Sequence, residues 1–197
     1  MMNKKEEFID IYNSFVSGRK GADKLLRYIT DSTDFFTAPS STRFHGSYEG
    51  GLVEHSVNVY HCLKDYLSRP YASEKYNMSY TDESIAIVSL LHDLCKTNFY
   101  TVDYRNAKID GEWQKVPYYT INDTFPYGHG EKSVFLISRF MYIEPFEAMA
   151  IRYHMGFSGI EDKNTIGRVF ENFPLALALN VADMEASYYL EGSSPKI

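Results

Sequence analysis

Ile85-Ala86-Ile87-Val88-Ser89-Leu90-Leu91-His92-Asp93-Leu94-Cys95 is an apolar run with an imidazole and a carboxylate side by side near its end. Its length and continuity predict a buried helix. Thr81-Asp82-Glu83-Ser84 ahead of it reads as a capped helix start, and the helix is expected to end near Lys96. Burying an imidazole beside a carboxylate is costly unless something compensates. A metal ion compensates by accepting both groups as ligands. Other segments place a His or Asp in similar surroundings: Gly50-Gly51-Leu52-Val53-Glu54-His55, Tyr127-Gly128-His129-Gly130, Ile151-Arg152-Tyr153-His154 and Asn180-Val181-Ala182-Asp183. A chain that repeatedly sets ligand-type residues among apolar ones is building a polar site in its core.

Outward from that run the pattern is helical. Phe8, Ile11, Tyr12 and Phe15 share a face of a helix over 4–16, and a second helix is expected over 22–30. Residues 31–41, with Pro39 and several Ser and Thr, read as a loop. A glycine-rich turn over 46–51 leads into a helix over 52–67, on which Leu52, His55, Val59 and Leu63 share one face. Further helices are expected over 131–141, 145–154, 166–171 and 174–189. Residues 98–125 interrupt this series. Two segments rich in β-formers, 99–105 and 113–121, flank Asp110-Gly111, the signature of a hairpin turn. The expected class is all-α, a helical bundle with a small β-hairpin insertion, in one domain over 1–197.

The 197 residues are 44% hydrophobic, enough for a sizeable core, and carry a formal charge of −6, which argues against a generally basic nucleic-acid-binding surface. No apolar run approaches the roughly 20 residues needed to span a bilayer, and Met1-Met2-Asn3-Lys4-Lys5 leads into no apolar stretch of the signal-peptide kind. The expectation is a cytoplasmic protein without membrane association. Cys62 and Cys95 read as buried free thiols rather than a disulfide.

Six residues qualify as metal ligands. His92 and Asp93 can reach one ion from a single helical turn, since consecutive residues point about 100° apart. His55 and Asp183 sit on apolar helix faces, and His129 and His154 at helix ends. Six ligands exceed one tetrahedral ion and suit two ions of higher coordination, with Asp93 able to bridge. Such a pair lowers the pKa of a bound water and clamps the oxygens of a phosphate under displacement. Imidazole and carboxylate without thiolate suit Mn, Fe, Ni, Co or Zn in a catalytic site, with Mg also within range.

These residues resemble a known family. The block Gly50-Gly51-Leu52-Val53-Glu54-His55-Ser56, then Leu90-Leu91-His92-Asp93-Leu94-Cys95-Lys96, then Ala182-Asp183, is similar to the HD-domain metal-dependent phosphohydrolases, whose order is His, His-Asp, Asp. The likeness runs from about Arg43 to Tyr189. With Arg43 and His45 just before the Gly-Gly turn, it looks most like the HD domain of bacterial 3′-to-5′ exoribonucleases, without their OB-fold. The resemblance implies His55, His92, Asp93 and Asp183 as the primary metal set. It matches His129 and His154 to the extra histidines of the two-metal branch, which includes cyclic-dinucleotide phosphodiesterases. It implies Lys96, in His-Asp-x-x-Lys, as a phosphate contact, so that Asp93 and Lys96 form the catalytic pair, with Arg43 and His45 as further substrate-binding residues. Cys95 departs from the family's Gly before that Lys, and the hairpin lies outside the generic motif.

The activity implied is hydrolysis of a phosphate ester in a nucleotide or oligonucleotide by water activated at one or two divalent ions. The acidic chain favours a small nucleotide, with short RNA or DNA as further substrates. The alternatives are a di-iron HD oxygenase and a binding module that holds a nucleotide or metal without turnover. Glu54 reads as structural, His61 as a surface or packing residue, and Asp103 and Asp110 as solvated. The aromatic hairpin reads as a surface element with tyrosines packed on the helices, or as a lid that stacks on a base.

Overall fold

A computed structural model describes residues 3–191, so the two ends of the 1–197 span lie outside the described residues. The chain is mostly helical with one antiparallel hairpin. In chain order the helices are α1 (Lys4–Phe15), α2 (Ala22–Ser32), α3 (Gly51–Ser68), α4 (Pro70–Glu74) and α5 (Asp82–Leu91). After strands β1 (Tyr100–Ile109) and β2 (Glu112–Ile121) come α6 (His129–Ser138), α7 (Pro145–Arg152), α8 (Lys163–Asn172) and α9 (Pro174–Glu185). The short α4, opened by proline at its first position, was not anticipated from the sequence.

α3 is the central rod, packed against α1, α5 and α9. Its buried residues include Leu52, Val57, Val59 and Leu63, so the apolar stripe expected there is the core. α5 is buried along nearly its whole length, from Ser84 to Leu91, as a continuous apolar run requires. Its start is the expected cap: the Thr81 side chain accepts a hydrogen bond from the Ser84 N–H.

α5 does not continue to Lys96. It ends at Leu91, Asp93 leaves helical geometry at φ −102°, ψ 19°, and residues Leu94–Lys96 form one 3₁₀ turn. The cause is competition for backbone groups. The Cys95 N–H donates to Ser133 Oγ on α6 at 3.0 Å instead of to the carbonyl four residues back. The His-Asp pair therefore sits at the tip of α5, where two neighbouring helices can close on it. At the other end of the chain, α9 is α-helical to Glu185 and then widens into a π turn over Ala186–Leu190.

Between β1 and β2, Asp110 and Gly111 adopt φ of 50° and 90°. Positive φ at both central residues is what a two-residue hairpin turn demands. The register pairs Tyr100 with Ile121 and Ile109 with Glu112. The strands pair with each other and project from the helices, leaving Tyr104 and Trp113 exposed, the latter at 74%. Tyrosines packed on the helices were expected along this element. Tyr100 is anchored at the base of the ribbon to the loop before α3 rather than to a helix, its hydroxyl donating to the Ser40 carbonyl at 3.0 Å, whereas Tyr104 is exposed because the ribbon points outward. Among the described residues no helix is long and apolar enough to cross a membrane.

Candidate metal centre

The six expected ligands converge. His55 comes from α3, His92 and Asp93 from the tip of α5, His129 from the first residue of α6, His154 from just beyond α7, and Asp183 from α9. Asp93 is the hub. Its Oδ2 lies 3.6 Å from His55 Nε2 and 3.5 Å from His92 Nε2. Its Oδ1 lies 2.9 Å from His129 Nε2 and 3.5 Å from His154 Nε2. His55 Nε2 is 3.2 Å from His92 Nε2 and 3.2 Å from Asp183 Oδ1. Ligand bonds of about 2.0–2.1 Å put neighbouring donor atoms about 3.0 Å apart in an octahedron and about 3.4 Å apart in a tetrahedron. The observed spacings fall around those values.

The backbone makes the convergence possible at two glycines. A Cβ on Gly130 would overlap the Arg152 carbonyl, so α6 starts in contact with the end of α7 and His129 meets His154. A Cβ on Gly51 would overlap the Gly46 carbonyl, so the loop over 40–46 lies against the start of α3 and brings the His45 ring within 5.0 Å of the His55 ring. Asn180 of α9 fixes the far side by donating to the His154 carbonyl at 2.6 Å.

The imidazoles share one orientation, Nε2 inward and Nδ1 outward. His92 Nδ1 lies 2.8 Å from the Ser89 carbonyl and His154 Nδ1 lies 2.7 Å from the Ile151 carbonyl. A carbonyl only accepts, so both Nδ1 atoms carry the proton and a neutral ring presents a lone pair at Nε2. Those lone pairs face the oxygens of Asp93. Asp93 Oδ1 and His154 Nε2 are buried and, near as they are, make no hydrogen bond among the described residues. Acceptors gathered around acceptors fit a cation. His129 Nδ1 is 3.3 Å from Cys95 Sγ. Burial and then the nearby Asp93 push the Cys95 thiol up to about 12, so without a metal it is protonated at neutral pH.

Charges around the hub are matched to it. Burial would raise the Asp93 carboxyl, but the positive Lys96 and then His92 hold it well below the usual carboxylate range. Lys96 Nζ lies 2.6 Å from Asp93 Oδ2. Burial also disfavours a charged His55, yet Asp183 and Glu191 outweigh it and raise the ring to about 10.

A cleft of about 680 Å³ opens over this hub. Asp93, Lys96, His129 and Asp183 line its floor, and Phe44, His45, Tyr100, Ile121 and Tyr188 are among its walls. His45 thus joins the site, with its Nε2 buried and unpartnered. Arg43 does not line the cleft. Its side chain is exposed, with the guanidinium 5.2 Å from the centre of the Phe44 ring. Nearness to the Gly-Gly turn in sequence carried Arg43 only as far as the outer side of that loop. His61 lies outside as well, on the surface, with Nε2 2.7 Å from Glu7. Glu54 accepts from the Tyr48 hydroxyl at 2.9 Å and stays out of the centre.

Sequence reasoning missed Glu191. Both its carboxylate oxygens lie 3.1 Å from His55 Nδ1. Nothing in the local sequence marks it, because its reach depends on the π turn before it. No family model matches the chain, and no curated protein or solved structure matches it either.

Proposed function

We propose that this chain is an HD-type metal-dependent phosphohydrolase that cleaves a phosphate ester of a nucleotide or short oligonucleotide. One observation carries the proposal: the two oxygens of a single buried carboxylate, Asp93, each face a different pair of inward-pointing histidines. Such a carboxylate would be suited to sharing between two cations. His55, His92 and Asp183 would hold one ion with Asp93 Oδ2, and His129 and His154 the other with Asp93 Oδ1. Divalent ions held there would supply an activated water and positive charge for phosphate oxygens.

The chain's own residues supply the rest. Asp93 stays ionised beside Lys96 and so remains available as a ligand. Lys96 reaches the cleft floor and can share its ammonium with a phosphate oxygen. A cleft of about 680 Å³ suits a nucleotide-sized molecule, and Phe44 and Tyr188 at its walls offer planar surfaces to a base.

The test is metal analysis of the purified protein, paired with hydrolysis assays under Mn²⁺, Co²⁺ or Ni²⁺. Substrates would be bis-p-nitrophenyl phosphate, mononucleotides, cyclic dinucleotides and short RNA. The expected result is phosphate-ester turnover that His92→Ala abolishes. Metal binding without turnover on any of them would favour the binding module. Oxygen-dependent chemistry at bound iron would favour the oxygenase.

A further inference from the structure

His92 and His154 find partners for Nδ1 within their own turns, because each sits at the C-terminal end of a helix, where carbonyls are free. His55 cannot do so. It lies inside the 18-residue α3, whose carbonyls are engaged in the helix; that of Leu52 also receives the Ser56 hydroxyl. A partner for its Nδ1 must come from another element, and it comes from 136 residues away, as Glu191.

The contact is built into the end of the chain. Asp183 and Glu191 are eight residues apart, and regular α-helix would leave their side chains about 80° apart around the axis. The π turn over Ala186–Leu190 turns less per residue, closed by the Glu191 N–H donating to the Ala186 carbonyl at 3.1 Å. Both acids then meet the same ring, Asp183 at Nε2 at 3.2 Å and Glu191 at Nδ1 at 3.1 Å. Glu191 is itself held, since Asn58 Nδ2 donates to its Oε1 at 3.1 Å. The side chains of His55 and Glu191 are each only 1% exposed. A carboxylate buried to that degree, on a ring with no other Nδ1 partner among the described residues, is placed to orient it.

We propose that Glu191 is the positioning residue of His55: it accepts the Nδ1 proton, fixes the ring with Nε2 toward Asp93 and Asp183, and thereby sets the affinity of the His55 half of the centre. This rests on the metal-centre reading above. A carboxylate behind a ligating histidine also makes the ring a stronger donor to the ion, and loss of such a partner typically costs about 10–100-fold in metal affinity.

The test compares wild type, Glu191→Ala and Glu191→Gln. Zn²⁺ affinity is measured by competition with a chelating dye, the His55 ring by ¹⁵N–¹H correlation, and thermal stability on the metal-free proteins. Glu191→Ala should bind Zn²⁺ about 10–100-fold more weakly and lose the slowly exchanging His55 Nδ1–H. Glu191→Gln, which keeps an acceptor oxygen, should recover the Nδ1–H signal and part of the affinity. Unchanged affinity in Glu191→Ala would overturn the proposal. So would equal loss in both variants in step with lower metal-free stability, which marks a structural anchor. If the wild type binds no Zn²⁺, the metal-centre reading falls, and Glu191 is then judged on the metal-free ring: a shifted His55 signal in Glu191→Ala sustains the orienting contact, and an unmoved one overturns it.

Discussion

Lys96 Nζ sits 2.6 Å from Asp93 Oδ2, the same oxygen that faces His55 and His92. The ammonium and an ion bound there, as proposed, would therefore draw on one oxygen. In metal-free protein Lys96 is the nearest fixed positive charge to a buried carboxylate. Removing one partner of a buried pair typically costs about 3–5 kcal/mol, because it strands the other. Lys96→Met should lower the metal-free melting temperature, and added Mn²⁺ should restore more of it than it adds to wild type. Calorimetry with and without Mn²⁺ checks this. An equal metal-induced rise in both proteins would mean that the ion does not take over the role of Lys96.

Gly130 keeps the start of α6 against the end of α7 and so holds His129 beside His154. A methyl group there would push α6 off the Arg152 carbonyl and carry His129 away from His154. Gly130→Ala should cost one bound ion per chain and leave the His55–His92–Asp183 half occupied. Metal stoichiometry on a desalted protein reads this directly. Two ions retained, or both lost together, would contradict two separable halves.

The proton on His55 has a pH signature. Its ring is raised to about 10 from an ordinary 6.5, because Asp183 and Glu191 outweigh the burial that opposes charge. In metal-free protein this proton's contribution to stability is complete below about 6.5 and disappears as pH climbs toward 10. An ion at Nε2 must displace the proton. Zn²⁺ binding should therefore release a proton from this site at neutral pH, and affinity should rise by up to about tenfold per pH unit between 6.5 and 8. Calorimetric titration in buffers of differing ionisation enthalpy measures the release. Binding without proton release would show that His55 is already neutral.

The hairpin beyond Tyr100 and Ile121 projects from the helices, with Val102, Tyr104 and Trp113 exposed. Replacing residues 103–118 by a two-residue Asp-Gly turn should change stability by less than about 1 kcal/mol and leave metal content as it is. Thermal melts with metal analysis decide. A collapse in either would show that the outer ribbon supports the centre.

The residues that gather around Asp93 were legible because each ligand type stands out against apolar neighbours. A His or Asp on a core-facing stripe, as at His55 and Asp183, has few bland explanations. What stayed hidden depended on backbone detail that periodicity does not encode. The end of α5 at Leu91 follows from Ser133 taking the Cys95 N–H, a contact across 38 residues. Arg43 and His45 are two residues apart, yet only His45 faces the cleft, since the loop presents them in different directions. Glu191 needed a π turn, which has no sequence signature of its own. Tyr104 and Trp113 gave no clue to whether they pack or project, because aromatic strand residues do either.

The ligands around Asp93 are strung between His55 and Asp183, and each helix that carries one must be docked before the next can close. Contacts so distant in sequence carry a loop-closure cost that slows their formation. Ions bound as proposed could not then act as a nucleus in the way a short zinc-finger loop is organised by its metal. On the proposed function, the scaffold would assemble with Lys96 standing in for them, and loading would follow through the open side of the cleft, where the His129 side chain is 36% exposed. If that reading holds, protein prepared without metal should be folded and inactive, and should gain activity when metal is added.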